Sequence, residues 1–449
     1  MRWRLGDISE RLGGTSAVRD QYVGGISTDT RTLRSGDLFF ALKGERINGH
    51  QHAREALTKG AAAVVVSEPV DCPSDRCIVV EDTLSALQTL ANQYRKSFEI
   101  PVIGVTGTNG KTTTKEMIAA VLSKKYKVFR SPGNLNNHIG VPLSICSWEE
   151  DTEIAIVEMG TNHFGEIREL CEIAEPTHGV ITNIGKGHLE FLKDLDGVAR
   201  AKKELLEYLN DNGVAFLNAD DPFLKTSLHL VPKTVTYGLS NGAQVRGEAA
   251  ASHQTGCSKL KVNDCDIQLS VPGHFQLYNA LAAVAVGLQF HLTLDEIREA
   301  LESFSPAMKR MEVLKINNLT LLNDAYNANP TSMKNALETV ANMWLGYRKI
   351  AVLGDMLEVG SSSFHEHQQI GLLLGSLSFD ACFCLGDAMR NTVETAIHTG
   401  IDAYHFDKME ELADVLLGYI RDEDVILIKG SRGMQMERVI ALIQAERGE

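Results

Sequence analysis

Three observations predict an α/β protein of three domains. The chain has 449 residues, and at about 150 residues per domain that length suggests about three units. From residue 102 onward, short apolar runs alternate with amphipathic helical patterns, as in a mostly parallel, helix-covered sheet. The texture of the chain changes near residue 98 and again near 313, dividing it into 1–98, 99–312 and 313–449.

In the first segment the spacing predicts a helix over 53–59, a strand over 61–66, a strand over 77–80 and a helix over 83–97. Pro101 opens the second, as suits the first position of a strand, and buried strands read at 102–106, 153–157 and 179–184. The third segment reads as a Rossmann-like unit. Its strands fall at 319–323, 349–353, 381–385 and 425–428, and its helices at 332–343, 364–374, 389–398, 409–419 and 434–445.

Composition excludes several function classes. With 44% hydrophobic and 23% charged residues the chain is ordinary for a globular protein. A net charge of -14 argues against a dedicated nucleic-acid binder, while a local basic site can still take phosphates. No apolar region follows Arg2 and Arg4, so no signal peptide is expected. No run approaches the ~18 apolar residues of a membrane span. The eight cysteines show no metal spacing and read as core residues in a reducing compartment. Cys382 and Cys384 are expected on one face of a strand.

The chemistry begins at Thr106-Gly107-Thr108-Asn109-Gly110-Lys111-Thr112-Thr113-Thr114. It lies between a buried strand and a helix carrying Met117, Ile118, Val121 and Leu122 on one stripe. The glycines let the backbone approach an anion, and amides at a helix N-terminus attract one. Lys111 can reach the β- and γ-phosphates, and the Thr112 hydroxyl can ligate Mg²⁺. Val105 stands where the usual phosphate-loop pattern has its first glycine. Downstream, Glu158 and His188 each fall at a strand's carboxyl end, where open α/β sheets build their sites. Lys202 shares a helical stripe with Val198, Leu205 and Leu209. It either snorkels to water or points into the site.

These motifs, with Gly133-Asn134-Leu135-Asn136-Asn137-His138-Ile139-Gly140-Val141-Pro142, Glu158-Met159-Gly160-Thr161-Asn162-His163, Asp324-Ala325-Tyr326-Asn327-Ala328-Asn329-Pro330 and Lys429-Gly430-Ser431-Arg432, closely resemble the Mur ligases, over all three segments. The resemblance implies an N-terminal UDP-binding domain, a central ATPase-like domain and a C-terminal Rossmann-like domain that closes over ATP. It implies ATP-driven addition of D-alanyl-D-alanine to UDP-N-acetylmuramoyl-tripeptide through an acyl phosphate, by a cytoplasmic monomer.

The resemblance also implies residue roles. Lys111 and Arg310 would meet the phosphates. Thr112, Glu158, His188 and a carbamylated Lys202 would hold two Mg²⁺ ions. Gly107, Thr108, Asn109, Gly110, Thr113, Asn279, Asp324 and Tyr326 would complete the ATP site. Ser27, Asp29, Arg31, Lys43 and Gly44 would bind the UDP end, and Asn134, Asn137, Thr161, Asn162 and His163 would line the muramoyl-peptide channel. Asp355, Glu358, His365, Lys429, Ser431 and Arg432 would receive the dipeptide. Phe275-Gln276 departs from the family's His-Asn, which puts any adenine-side role of position 276 in doubt. Alternatives are another ligase of the superfamily, such as a folylpolyglutamate synthetase, a phosphotransferase with a phosphate loop, or a nucleotide-binding module without catalysis.

Overall fold

The computed structural model describes residues 3–13, 20–44, 46–209, 213–250, 257–305 and 309–447. Three sheets organise them. The first runs Ile26–Ser27, Leu38–Phe40, Ala63–Val66 and Cys77–Val79, all parallel. Its helix Thr83–Arg95 buries Leu87, Leu90 and Ala91, and docks this unit on the next one. Gln88 Nε2 donates to Glu169 Oε1 at 2.6 Å, and Arg95 Nε to the Ala174 carbonyl at 2.9 Å.

The second sheet has nine strands, with Val102–Thr106 in its interior between His178–Ile181 and Ile154–Glu158. All five residues of Val102–Thr106 are buried, as are those of Ile154–Glu158. These continuous apolar runs suit strands covered by helices on both faces. One edge ends in the antiparallel ribbon Val245–Ala250, Cys257–Val262, Cys265–Pro272. The third sheet, in order, is Glu312–Ile316, Leu319–Asp324, Val425–Lys429, Lys349–Gly354, Ala381–Leu385 and Asp402–Phe406. Only its first pair is antiparallel.

Two differences from the sequence reading have local causes. The strand expected over 179–184 is His178–Ile181, because the next residues leave the sheet to hold the glycine loop. Thr182 Oγ1 donates to the Asn109 carbonyl at 2.6 Å, and Asn183 Oδ1 accepts from Asn109 N at 3.1 Å. The last helix begins at Glu437 rather than 434. Gln435 takes a left-handed conformation (φ 51°) after the short turn Arg432–Met434. Cys382 and Cys384 are both buried, as expected of one strand face. Among the described residues, no helix is long and apolar enough to cross a membrane.

Candidate active site

The glycine loop is shaped by two contacts that exclude side chains. At Gly107 (φ 140°) a Cβ would lie 2.0 Å from Thr182 Oγ1, and at Gly110 (φ 79°) one would lie 2.4 Å from Asn279 Oδ1. Glycine alone meets both demands, of conformation and of space. Asn279 is fixed in turn. Its Oδ1 accepts from Thr114 Oγ1 at 3.1 Å, and its Nδ2 donates to Gln276 Oε1 at 2.8 Å. The unusual residue 276 therefore orients the amide of 279. Lys111 opens the helix Lys111–Leu122 and folds back over the loop, donating to the Gly107 and Thr108 carbonyls at 2.8 and 3.1 Å.

A cavity of about 420 Å³ opens in front of this loop. It is lined by Thr108 to Thr113, Asn137, Glu158, Thr161, Asn162, His188, Arg310, Asp324, Tyr326 and Lys429. Residues predicted from all three stretches of the central segment thus converge with four from the domain junction and the third segment. A second cavity, of about 1120 Å³, lies on the other side of Asn109 and Gly110, and Asn279 and Tyr278 line it. Asn279 and Tyr326, both expected near the adenine, therefore stand in different cavities.

Three buried polar atoms around the first cavity have no hydrogen-bond partner: Thr112 Oγ1, Glu158 Oε2 and Lys202 Nζ. Glu158 Oε1, by contrast, accepts from Asn136 Nδ2 at 2.9 Å. Lys202 does not snorkel; it is 1% exposed. Burial, reinforced by the nearby Lys111 charge, holds its amine well below the usual lysine range. Lys111 is lowered to about 8 by burial, which Glu158 opposes and Arg310 assists. Unpartnered buried polar atoms are rare because each carries a desolvation cost; Thr112 and Glu158 line the cavity itself, and Lys202 is near enough to Lys111 to feel its charge, which points to a missing charged ligand. A hydroxyl, a carboxylate and an amine able to become a carbamate fit a hard divalent cation. Among the described residues no group of three or more His, Cys, Asp or Glu could hold a metal by itself. His188 Nδ1 is 2.6 Å from Glu358 Oε2, which leaves its other ring nitrogen for a ligand.

The third unit is seated against this loop. Asn329 Nδ2 donates to Asn109 Oδ1 at 2.9 Å, Lys186 Nζ pairs with Glu366 at 2.6 Å, and Glu190 N donates to the Glu358 carbonyl at 3.1 Å. Arg310 lies in the connecting segment with its guanidinium carbon 3.9 Å from the Tyr326 ring centre, and Arg432 approaches the same ring at 5.7 Å. Lys429 is 2% exposed and pairs with Asp324 at 2.5 Å. Ser431 Oγ accepts from Leu357 N at 2.8 Å. Asp355 accepts from Met389 N at 2.9 Å, at the start of the helix Met389–His398. His365 is exposed on the helix Ser363–Ser376, whereas His367, two residues on, is fully buried.

The remaining expected residues lie at the rim of this cavity or in the first unit. Asn134 is exposed, and Asn137 Oδ1 accepts from Gly140 N at 2.8 Å. Glu166 Oε2 accepts from Thr161 Oγ1, Asn162 N and His163 N, shaping that turn. In the first unit, Arg31 forms a two-pronged pair with Asp29, which holds that carboxyl at about 2. Ser27 Oγ donates to the Asp29 carbonyl at 3.0 Å, and Lys43 pairs with Glu68 at 2.7 Å beside Gly44. Sequence reasoning missed Lys115, Asn136 and Glu166. Lys115 carried a usable signal, its four-residue spacing from Lys111 on one helix.

Known proteins match this arrangement along its whole length. Residues 22–106 match the model of the Mur ligase family catalytic domain, 105–287 that of the Mur ligase middle domain, and 309–432 that of the Mur ligase glutamate ligase domain. A UDP-N-acetylmuramoyl-tripeptide--D-alanyl-D-alanine ligase from Bacillus subtilis is 37% identical over 443 residues, covering 97% of this chain and 96% of its own. The crystal structure of MurF from Acinetobacter baumannii superposes with a TM-score of 0.90 at 30% identity, covering 98% of both chains. That of MurF from Thermotoga maritima in complex with ADP gives 0.83 at 29%, covering 94% of this chain and 97% of its own. Matched by three models of the family across residues 22–432 and 37% identical to the Bacillus subtilis relative over nearly its whole length, the chain belongs to the Mur ligase family.

Proposed function

We propose that the protein joins D-alanyl-D-alanine to UDP-N-acetylmuramoyl-tripeptide at the expense of ATP, in the synthesis of peptidoglycan precursors in the cytoplasm. The observation that carries this reading is the cluster of unpartnered Thr112, Glu158 and Lys202 beside the glycine loop, in a chain that spans nearly all of the D-alanyl-D-alanine ligases it matches. Residues 1–98 take the UDP end, 99–312 the ATP, and 313–449 the dipeptide.

The tripeptide's terminal carboxylate attacks the γ-phosphorus of ATP, giving an acyl phosphate and ADP. The neutral amine of the dipeptide then attacks the acyl carbon, and phosphate leaves. Two anions must meet in the first step. Lys111 and Arg310, which face one cavity, offset their repulsion where the charge develops. Asp324 and Asn279 lie on the two sides of the loop, toward the ribose and the base. Thr112, Glu158, His188 and a carbamate on Lys202 would hold Mg²⁺, which supplies Lewis-acid neutralisation of the phosphates. A carbamate requires a neutral amine, and burial shifts Lys202 toward that form. Lys202 lies on the buried side of its helix with Val198, Ala201 and Leu205.

The assay measures phosphate release from MgATP with UDP-N-acetylmuramoyl-tripeptide and each candidate amine. Release that needs both the tripeptide and D-alanyl-D-alanine is expected. Release driven by glutamate or another free amino acid with the dipeptide absent would overturn the reading in favour of another ligase of the superfamily.

A further inference from the structure

A second lysine of the loop helix is buried behind the first. Lys115 is one turn beyond Lys111 and fully buried. Its ammonium donates to the carbonyls of Ser131 at 2.7 Å and Gly133 at 3.1 Å, and lies 3.2 Å from Glu116 and 3.5 Å from Glu158 Oε2. An ammonium has three protons. Two go to the carbonyls, and Glu116 and Glu158 are met as ion pairs without a hydrogen bond. Glu116 is itself shared with Arg130 at 2.6 Å.

The stretch that Lys115 grips also fixes Glu158. Glu158 N donates to Ser131 Oγ at 3.2 Å, Asn136 Nδ2 donates to Glu158 Oε1 at 2.9 Å, and the Asn136 carbonyl accepts from Gly160 N at 2.7 Å. One carboxylate oxygen is thus held by a hydrogen bond, and the other has none, with only the Lys115 charge 3.5 Å away. We propose that Lys115 is a positioning residue. By gripping residues 131 and 133 it keeps Asn136 on one oxygen of Glu158 and so presents the other oxygen to the divalent cation that accompanies the nucleotide phosphates. The proposal rests on the reading above in one respect, that Glu158 meets such a cation.

The test uses Mn²⁺ as the probe. The full-length protein, Lys115→Met, Asn136→Ala and the double variant are titrated with Mn²⁺ in saturating ADP, with bound ion read by electron paramagnetic resonance. ADP binding in EDTA and the melting temperature are measured alongside. Each single variant is expected to bind Mn²⁺ about tenfold more weakly or worse, as outer partners of metal ligands do. ADP binding in EDTA should stay within about twofold, because the loop amides and Lys111 are untouched. The double variant should be no weaker than the worse single one, since both remove one restraint. Unchanged Mn²⁺ affinity in Lys115→Met overturns the proposal, and so does additive loss. Tighter Mn²⁺ binding overturns it too, because that is what simple removal of a nearby positive charge would give. If Lys115→Met does not fold, Asn136→Ala decides, and unchanged affinity there is fatal. Wild-type protein that binds no Mn²⁺ with ADP removes the proposal along with the cation. Dipeptide-dependent phosphate release by the wild type separates the two readings: its absence, with the Mn²⁺ loss intact, sinks only the assigned reaction.

Discussion

Two loops occupy the same place in their sheets and differ in what they leave unsatisfied. The glycine loop leaves the interior strand Val102–Thr106, and the Lys429–Arg432 loop leaves the interior strand Val425–Lys429. Around the first, Thr112, Glu158 and Lys202 each keep a buried atom without a hydrogen bond. Around the second the wiring is nearly complete. Lys429 holds Asp324 and the Asn327 carbonyl, Ser431 accepts from Leu357 N, and Asp355 holds the start of the Met389–His398 helix. The exception there is one oxygen of Glu437. The first loop is built to receive charge, and the second spends its polar groups on holding the third unit in shape. Sites of the first kind give up stability for function, whereas paired buried charges are costly to break. Substitutions in the two loops should therefore move activity and stability in opposite patterns.

The largest effect is expected at Lys202. Lys202→Ala should lower turnover by about 10³-fold or more, the scale of losing a central electrostatic stabiliser, with partial rescue by short carboxylic acids that replace the carbamate. Lys202→Met should do the same to turnover yet melt higher than wild type, by about 1 kcal/mol, because an unpartnered buried amine is replaced by an apolar chain. Unchanged turnover in either variant removes the carbamate. A lower melting point in Lys202→Met breaks the comparison itself.

Lys429→Met supplies the opposite case. It removes one partner of a buried pair and strands Asp324, so unfolding by urea should show a loss of about 3 kcal/mol. The side chains of Lys429 and Asp324 are 2% and 15% exposed, which leaves water little room to compensate. A stability close to wild type, with dipeptide affinity lost, would instead return Lys429 to the role of substrate ligand that the motif suggests.

How far these two loops were legible in the sequence follows from the kind of information each needs. The strands Val102–Thr106 and Ala381–Leu385 and the helices Met389–His398 and Met409–Tyr419 coincide with their expected bounds. Apolar runs and helical stripes are local signals. The ribbon Val245–Pro272 went unread because its strands alternate with Arg246, Glu248, Lys259, Lys261, Asp266 and Gln268, and so lack a continuous apolar run. The stripe of Lys202 showed that a lysine was out of place, and the buried amine gives the reason. Pairings across the chain were out of reach. Nothing local joins Lys429 to Asp324 over 105 residues. His365 is exposed on its helix while His367 is fully buried, a difference that the helical stripe alone does not record. The separation of Tyr326 from Asn279 depends on how the third unit sits against the loop, which no single motif records.

A third kind of buried group sharpens the comparison, one that is satisfied only while neutral. His178 begins the strand beside the one that feeds the glycine loop, with its ring near those of Phe216 and Phe290 at 6.3 and 5.0 Å and Nδ1 2.8 Å from Thr177 Oγ1. Burial lowers its pKa to about 4, from about 6.5 in the unfolded chain. Below pH 6.5 the unfolded state therefore binds the proton that the folded state refuses. Stability is lost as pH falls from about 6.5 toward 4 and changes no further on this account below that, by on the order of 2–3 kcal/mol in total. Urea unfolding at pH 7.5 and 4.5 should show this loss in the wild type, and His178→Phe should remove most of it. Turnover at pH 8 should be unaffected, because the residue lies outside the cavity. An equal acid loss in both proteins would transfer the effect to a carboxylate that its partner holds low, such as Glu358 beside His188, and would make the third unit, not the central sheet, the acid-sensitive half of the molecule.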